Sequence, residues 1–257
     1  MRYVVVGGGA AGVFGALSAK QHHPDAEVIL LEKSAKLLAK VRVSGGGRCN
    51  VTHHCFDPKE LVKNYPRGHR ELLGPFHRFA PEDTISWFEE RGVPLKVEAD
   101  GRMFPTTDSS QTIIDCLLNE ARRRGVSIRS RQKIEAIQKK DDFVITLADG
   151  EEIRADRVLL ATGSAPQGHR FAEALGHTIV PSVPSLFTFN VPNFALKPLS
   201  GASVEKATLR LEGFKHEQEG PLLITHWGFS GPAAIKLSAW GARFLAEKQY
   251  QAMLIIN

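Results

Sequence analysis

The chain has few cysteines, no long apolar run and no internal repeats. Each of these features would indicate a particular class of protein. Its 257 residues include only three cysteines, Cys49, Cys55 and Cys116. An odd, low number does not suit a disulfide framework and favours reduced thiols in a cytoplasmic protein. No run of eighteen apolar residues occurs, so the sequence predicts no membrane-spanning helix. Internal repeats and low-complexity tracts are also lacking, which excludes a solenoid or a fibrous protein.

The composition is otherwise that of an ordinary globular protein. Hydrophobic residues make up 42% of the chain and charged residues 24%, with a net charge of +5 and a pI of about 9.2. This mild basicity permits an anionic ligand or a nucleic acid and requires neither. We identify no basic stripe with interleaved aromatics, which makes a nucleic-acid partner unexpected. No metal site is expected either, because neighbours in the extended "HHC" string point to opposite sides.

The apolar opening "VVVGGGAAGVFGALSA" has two interpretations. It could be a signal peptide, but three adjacent glycines weaken the helix that such a peptide needs. The alternative is a buried strand, Tyr3 to Val6, followed by a dinucleotide turn with glycines at 7, 9 and 12. In such a turn the first glycine allows the bend, the second admits a pyrophosphate, and the third lets helix and strand pack closely. This second interpretation predicts that the mature protein keeps the segment.

A second strand completes the dinucleotide pattern. "EVILLEK" runs from Glu27 to Lys33, and Glu32 lies twenty residues beyond Gly12. An acid at the end of this strand can accept hydrogen bonds from a ribose diol, and it disfavours a 2′-phosphate. The fingerprint and the acid alone do not separate NAD from FAD.

A second glycine run begins at Val43, in "VSGGGRCNVTHH". Three successive glycines do not suit the interior of a strand or helix. The run is either a flexible surface loop or a backbone nest around a cofactor, with Arg48 as a cation for phosphate or flavin oxygens. Cys49 would then lie at the ligand, as a small filler rather than a redox group.

Six strings carry a more specific resemblance. "GGGAAG", "LLEK", "KLLAKVRVSGGGRCNVT", "DGRMFPTTDSSQTIIDCL", "VLLATGSAPQG" and "LLITHWGFSGPAAIKLSA" occur in this order between Arg2 and about Ala239. They resemble the bacterial flavoprotein family that contains aminoacetone-oxidase-like and 3-dehydro-bile-acid-reductase-like proteins. The resemblance implies an α/β fold: a Rossmann-like, glutathione-reductase-type FAD-binding domain with an inserted, mainly β domain. It also implies FAD as the cofactor.

The fingerprint, the second strand, the second glycine run and the resemblance together predict one cofactor site. Ile134 joins it because similar flavoproteins use the backbone of that strand at the adenine. The predicted cofactor-binding residues are Gly7, Gly9, Ala10, Ala11, Gly12, Glu32, Lys33, Lys40, Ser44, Gly45, Gly46, Gly47, Arg48, Cys49, Asn50, Ile134, Ala161, Thr162 and Gly163.

The chain departs from the family pattern in two places. Where the family reads "ATGG", this sequence has Ser164 in the last position. The family also continues into a further glycine-rich segment that returns to the flavin, whereas this chain ends in "QAMLIIN". We therefore expect a C-terminally truncated fragment that binds FAD weakly, aggregates readily and turns over little, its last strand leaving ladder groups unpaired.

Residues 1–180 are predicted to form the FAD-binding domain and 181–257 the inserted, incomplete, mainly β substrate domain. The first contains helices between residues 57 and 92, a hairpin about residues 100–101, a capped helix ending at Gly125, a parallel strand "VSIRS" and an antiparallel meander. In the second, His226 is the one weak catalytic candidate. It is either a proton donor or, as we favour, a structural hydrogen-bonding histidine.

These patterns predict an FAD-dependent oxidoreductase that acts on a small organic substrate. The flavin would be reduced by NAD(P)H, as a transient donor, or by the substrate itself. Two alternatives remain: an FAD-bearing protein that binds or modifies RNA, and a simple NAD-dependent dehydrogenase. The sequence does not give the substrate, the electron acceptor, the catalytic residues or the oligomeric state.

Overall fold

A computed structural model describes all residues from 1 to 257. The chain divides into two compact units, Met1–Ile179 and Val180–Asn257. No helix combines the length and the apolar character needed to cross a bilayer.

The first unit contains ten strands and seven helices. The strands are β1 Arg2–Val6, β2 Glu27–Glu32, β3 Thr52–His53, β4 Leu95–Val97, β5 Arg102–Pro105, β6 Ser127–Ser130, β7 Ile134–Lys139, β8 Phe143–Leu147, β9 Glu152–Ala155 and β10 Arg157–Leu160. The helices are α1 Ala10–His22, α2 Ala39–Val43, α3 Pro58–Leu61, α4 His69–Phe76, α5 Pro81–Glu89, α6 Ser110–Arg123 and α7 Pro166–Ala174.

A four-stranded parallel sheet with the order β10-β1-β2-β6 forms the centre of this unit. Both of its faces are covered, which explains why Val4–Val6 of β1 and Val28–Leu31 of β2 are continuous apolar runs rather than alternating. Val5 and Leu30 face α1 and α6, whereas Val4 and Val6 face the antiparallel sheet of β7, β8 and β9. Each fully buried aliphatic side chain contributes about 1.5–3 kcal/mol, so both faces stabilise the sheet. The predicted Rossmann-like architecture is confirmed.

Helix α6 illustrates how closely local signals set the elements. The Ser109 hydroxyl accepts a hydrogen bond from the Gln111 N–H, which caps the helix, and Gly125 follows its end with φ +71°. One apolar stripe, which includes Ile114 and Leu117, is buried against the sheet. The predicted capped helix, the parallel strand β6 after it, and the β7–β9 meander are all confirmed.

Between α2 and α6 the chain forms a small antiparallel sheet, ordered β3-β5-β4, beside helices α3, α4 and α5. Strands β4 and β5 are the predicted hairpin, with Gly101 at φ +82° in its turn. Pro81 begins α5, as predicted for this ring at a first helical position. Phe104 of β5 is completely buried, and it becomes important at the second glycine loop.

The second unit contains five strands and two helices: β11 Phe189–Asn190, β12 Ser203–Leu211, β13 Glu217–Ile224, β14 Gly228–Ser230, β15 Leu254–Ile256, α8 Pro232–Trp240 and α9 Ala242–Glu247. Its antiparallel sheet has the order β11-β14-β13-β12-β15. The two helices were not anticipated. Strand β15 pairs with β12 on one side and is the last strand of the sheet, so the expectation that it leaves ladder groups unpaired holds for its other edge. That this unit is an inserted substrate domain stays a prediction.

Candidate functional site

The turn after β1 is built so closely that two of its positions have no room for a side chain. Gly7 has φ +109°, and a Cβ there would lie 2.5 Å from the Ala161 carbonyl oxygen. A Cβ on Gly12 would overlap the Gly7 carbonyl oxygen. The turn therefore lies directly against the end of β10 and against the first turn of α1. This is the role expected for both glycines.

The face of the same turn at Gly9 is open. No heavy atom lies within 4 Å of the position that a Gly9 Cβ would occupy. Gly9 also caps α1 without a side-chain hydrogen bond, the first turn of α1 has no acidic residue, and Ala10 and Ala11 are exposed. The first N–H groups of a helix have no intrahelical acceptors and attract anions. The open face thus fits the pyrophosphate of a dinucleotide.

Glu32 ends the strand beside this turn. Its carboxylate accepts hydrogen bonds from the backbone N–H groups of Gly8 (2.7 Å) and Ser34 (2.8 Å). Partial burial acts to raise the pKa of Glu32, but the N–H groups of Ser34 and Gly8 outweigh burial, and the net pKa lies below its ordinary value. The carboxylate is therefore ionised at neutral pH, with lone pairs left for a ribose diol.

Ala161, Thr162 and Gly163 follow β10 next to the glycine turn. The Ala161 N–H donates to the Val6 carbonyl over 2.8 Å, which continues the β1–β10 pairing into the loop. Gly163 has φ +61°. A Cβ on Gly168 in α7 would overlap the Thr162 hydroxyl, so Gly168 fixes how closely α7 approaches this loop. Sequence reasoning missed Gly168, although its place in the first turn of a Pro-initiated helix was a signal.

The second glycine run forms a tight left-handed turn rather than a free loop. Gly45, Gly46 and Gly47 all have positive φ, and the Cys49 N–H donates to the Ser44 carbonyl over 2.9 Å. A Cβ on Gly45 would lie 2.8 Å from the Phe104 ring. A hydrogen bond from the Leu38 N–H to the Gly8 carbonyl (2.8 Å) ties the helix before this run to the first turn. The two glycine runs thus belong to one connected structure.

Arg48 has partners that the sequence did not reveal. Its guanidinium lies over the Phe104 ring, 4.0 Å from the centroid, and it is hydrogen-bonded to the Glu98 carboxylate. Asp108 lies 3.5 Å away. The structure thus places Arg48 between Glu98 of the β4–β5 hairpin and Asp108 just after β5, and its contact with a cofactor stays a prediction. Glu98 and Asp108 carried no local signal for this role.

The two residues after Arg48 have structural contacts. Cys49 is buried with φ +64°, and burial raises the pKa of its thiol, which disfavours a reactive thiolate. With the Asn50 side-chain amide oriented so that its nitrogen faces these groups, the nitrogen donates to the carbonyls of Thr52 (2.9 Å) and Met103 (3.3 Å). Asn50 therefore anchors the turn to β5.

The remaining predicted positions lie around the same end of the sheet. The Lys40 ammonium donates to the Ser164 hydroxyl over 3.0 Å, whereas Lys33 is exposed just beyond β2. The Ile134 carbonyl accepts a hydrogen bond from the Gln167 side chain (2.6 Å), so one of its lone pairs is already used in the absence of adenine.

In the second unit, His226 lies in the turn between β13 and β14. The Thr225 hydroxyl and the Gly228 backbone hold this turn by reciprocal hydrogen bonds of 2.9 and 3.1 Å. His226 is exposed, and its ring makes an edge contact with Trp227 at 4.2 Å but no hydrogen bond. This geometry lends no support to the hydrogen-bonding structural role that we favoured, and the role of His226 stays a prediction. No group of three or more His, Cys, Asp or Glu side chains is arranged to hold a metal ion.

One surface segment is rich in basic and aromatic residues. The stretch 63–79, which we call the basic segment, contains four Lys or Arg residues and only one acid, Glu71. Its exposed aromatics include Tyr65 and Phe79, and α4 within it has no buried residue. Basic and aromatic residues thus alternate along this segment, and Lys63 within it is ion-paired with Glu60. The absence of a nucleic-acid partner stays a prediction.

The sequence matches the model of a known protein family. The family model described as the HI0933-like protein Rossmann domain matches residues 1–243. The chain belongs to this family. The resemblance noted in the sequence and the expectation of FAD as the cofactor are therefore confirmed, and the family is one of FAD-dependent oxidoreductases.

Two curated relatives of the HI0933-like chain have named activities. This chain is 29% identical over 256 residues to a 3-dehydro-bile acid delta(4,6)-reductase from Clostridium scindens. The match covers 96% of this chain and 62% of the relative. This chain is also 28% identical to a ribosomal RNA dihydrouridine synthase from Escherichia coli, covering 92% of this chain and 60% of the relative. The chain thus spans about three-fifths of the length of these relatives.

Solved structures resemble the HI0933-like chain more distantly. A 3-ketosteroid-delta4-(5alpha)-dehydrogenase from Rhodococcus jostii has 17% identity and a TM-score of 0.47, over 67% of this chain and 47% of that one. A THI4 protein from Thermovibrio ammonificans has 15% identity and a TM-score of 0.47, over 68% of this chain and 62% of that one.

Proposed function

We propose that this chain is part of an FAD-dependent reductase that saturates a carbon–carbon double bond conjugated to a carbonyl in a small cyclic substrate. The observation that carries the proposal is a shared chemistry in the relatives' names. A delta(4,6)-reductase of a 3-dehydro bile acid and a dihydrouridine synthase both describe saturation of a ring double bond conjugated to a carbonyl. Such a bond accepts a hydride at its far carbon and a proton at the carbon beside the carbonyl.

The residues of the first unit bind and orient the cofactor. The open face at Gly9 and the first turn of α1 receive the pyrophosphate, and the Glu32 carboxylate receives the ribose diol. Bound FAD supplies hydride transfer. The protein's own contribution is to hold that group in place and set the electrostatics around it.

NAD(P)H is the proposed source of the hydride, as a transient donor rather than a resident cofactor. Glu32 is ionised and lies at the ribose position of the resident nucleotide, so a 2′-phosphate there would meet a like charge. The resident site therefore disfavours NADP(H). Since FAD is the family's cofactor, the donor would bind elsewhere and leave after transfer.

The direct test is an anaerobic flavin reoxidation assay. The FAD-loaded chain is reduced with NADPH or NADH and then mixed with a steroid 4-ene-3-ketone. We expect the flavin's visible absorbance to return and a saturated 3-ketone to form. The matched control is the same steroid without the double bond, which should leave the flavin reduced. Equal reoxidation by the saturated ketone would contradict the proposal.

The basic segment favours a second candidate substrate, a uracil ring within RNA. Arg70 and Arg78 provide cations for phosphates, whereas Lys63 is ion-paired with Glu60 at 2.6 Å. Tyr65 and Phe79 offer exposed rings on which bases can stack. The reaction would be the same as for the first candidate, but the double bond would lie in a uracil base of RNA instead of in a small molecule.

RNA binding and its dependence on salt separate the two candidates. The double variant Arg70→Gln, Arg78→Gln should weaken binding of a ribosomal RNA fragment and lower the magnitude of the salt slope by about 1.5. The charge-matched control is Lys215→Gln, Lys236→Gln, both on the second unit. If both double variants bind RNA equally, the basic segment is an ordinary solvated surface and the small-molecule candidate remains.

A further inference from the structure

The hydrogen bond between Lys40 and Ser164 joins two segments that both touch the glycine turn. Lys40 Nζ donates to Ser164 Oγ over 3.0 Å, across 124 residues of sequence. On one side, Leu38 fixes the start of α2 to the Gly8 carbonyl at 2.8 Å. On the other, a Cβ on Gly7 would lie 2.5 Å from the Ala161 carbonyl oxygen, so the loop containing Ser164 leaves β10 in contact with the turn.

The Lys40 ammonium lies over Gly163. Apart from its chain neighbours, the position of a Gly163 Cβ has one heavy atom within 4 Å, and that atom is Lys40 Nζ at 4.0 Å. Gly163 has φ +61°, so this open side depends on the absence of a side chain. The ammonium is thus held beside the turn without being enclosed by other groups.

No carboxylate lies within ion-pair distance of Lys40, whose only hydrogen-bond partner is the neutral Ser164 hydroxyl. By contrast, Arg48 nearby is paired with Glu98. A cation held by a neutral acceptor keeps its charge for a ligand, whereas an ion-paired cation does not. Lys33 and Lys36 are also exposed, but no hydrogen bond fixes either ammonium.

We infer that Ser164 is a positioning residue of the cofactor site, which holds Lys40 where its ammonium contacts the pyrophosphate of the bound dinucleotide. Ser164 acts through Lys40 rather than on the ligand, because its hydroxyl is the acceptor that fixes the ammonium. The inference depends on the cofactor and not on the proposed substrate, so a failed reductase assay leaves it standing.

The test measures binding of FAD, ADP and adenosine to the ligand-free chain by calorimetry. Ser164→Ala and Ser164→Gly should weaken FAD and ADP by about threefold, and Lys40→Met by about tenfold. Adenosine has no phosphate, so its affinity should stay unchanged in every variant. Ser164→Thr retains the hydroxyl and should restore ADP affinity.

Two further measurements separate positioning from other roles. In the Lys40→Met background, Ser164→Ala should have no additional effect on ADP, and the salt dependence of ADP binding should be shallower than in the unaltered chain. Lys140→Met, at the tip of the β7–β8 hairpin, is the matched control and should bind all three ligands normally.

Three outcomes would overturn the inference. An equal loss of adenosine affinity would mean that the substitutions disturb the fold. A further loss from Ser164→Ala in the Lys40→Met background would mean that Ser164 contacts the ligand itself. Unchanged ADP affinity in Lys40→Met would remove Lys40 from the pyrophosphate site altogether.

Discussion

The backbone N–H of Gly8 and the carboxylate of Glu32 are joined by a hydrogen bond of 2.7 Å. This bond connects the phosphate turn to the acid that ends the neighbouring strand, so the two parts of the dinucleotide site hold each other in place. A Cβ on Gly8 would approach the Glu32 side chain to 3.0 Å, which leaves little freedom in their spacing.

Glu32→Ala should therefore reduce FAD affinity by about ten- to a hundredfold, because charge-assisted hydrogen bonds of about 1.5–3 kcal/mol are lost. Titration of the ligand-free protein with FAD, followed by flavin fluorescence, measures this. Glu152→Ala, an exposed acid on β9, is the control and should bind FAD normally. An unchanged dissociation constant in Glu32→Ala would make Glu32 a purely structural acid.

Gly9→Ala and Gly12→Ala should separate binding from folding. Gly9 has φ −81° and open space, so alanine fits there, but its methyl group occupies the pyrophosphate face. We expect near-normal thermal stability and at least about tenfold weaker FAD binding. Gly12→Ala should instead unfold at a much lower temperature, because its Cβ overlaps the Gly7 carbonyl. Similar melting temperatures for the two variants would show that the turn adapts.

His226→Ala should change the free energy of unfolding by less than about 0.5 kcal/mol, because the exposed ring makes no hydrogen bond. The neighbouring variant Thr225→Val should lose about 1–2 kcal/mol, since its hydroxyl both donates to and accepts from Gly228. Urea unfolding followed by circular dichroism compares the two. A larger loss at His226 than at Thr225 would reassign the residue that holds this turn.

Glu120 should make stability fall in acid. Its hydrogen bond to Arg123 lowers the pKa of Glu120 most, burial opposes this, and Arg124 adds to the lowering, so the pKa is about 2 instead of 4.5. Because the pKa is lower in the folded state, about 3 kcal/mol of stabilisation is present above pH 4.5 and is lost as the pH falls toward 2. Urea unfolding at several pH values measures this loss.

The variant Glu120→Gln should have a lower free energy of unfolding than the unaltered chain at pH 7. This gap between the two free energies should close as the pH falls. Asp115→Asn lies on the same helix and is exposed, so it should show no such convergence. A gap that stays constant from pH 7 to pH 3 would mean that the ionised form of Glu120 does not stabilise the fold.

The sheet and the first turn could be predicted because their signals are local. Buried parallel strands are continuous apolar runs, and the glycine spacing lies within six residues of β1. The partners of Arg48 could not be predicted, because Glu98 lies fifty residues away and reaches it only through the packing of β5. Charge pairing at that separation leaves no periodic trace in a single sequence.

Helices α8 and α9 were missed for a different physical reason. Five of the nine residues of α8 are buried, and they include Ala233, Leu237 and Ser238. A helix enclosed in this way lacks the broad polar face from which amphipathic periodicity is identified. The strands before it have β-branched and proline-rich sequences, and these dominated the expectation of a mainly β domain.

Strand β1 is paired on both sides, and Val4 and Val5 within it are almost fully buried. The phosphate turn is the direct continuation of this strand, so it cannot open by fraying at an edge. Amide exchange with deuterium at Val4 and Val5 then requires global unfolding. A dinucleotide bound at the turn should slow that exchange by the full factor of one plus the ratio of ligand concentration to Kd, which makes the middle of the sheet a reporter of cofactor occupancy.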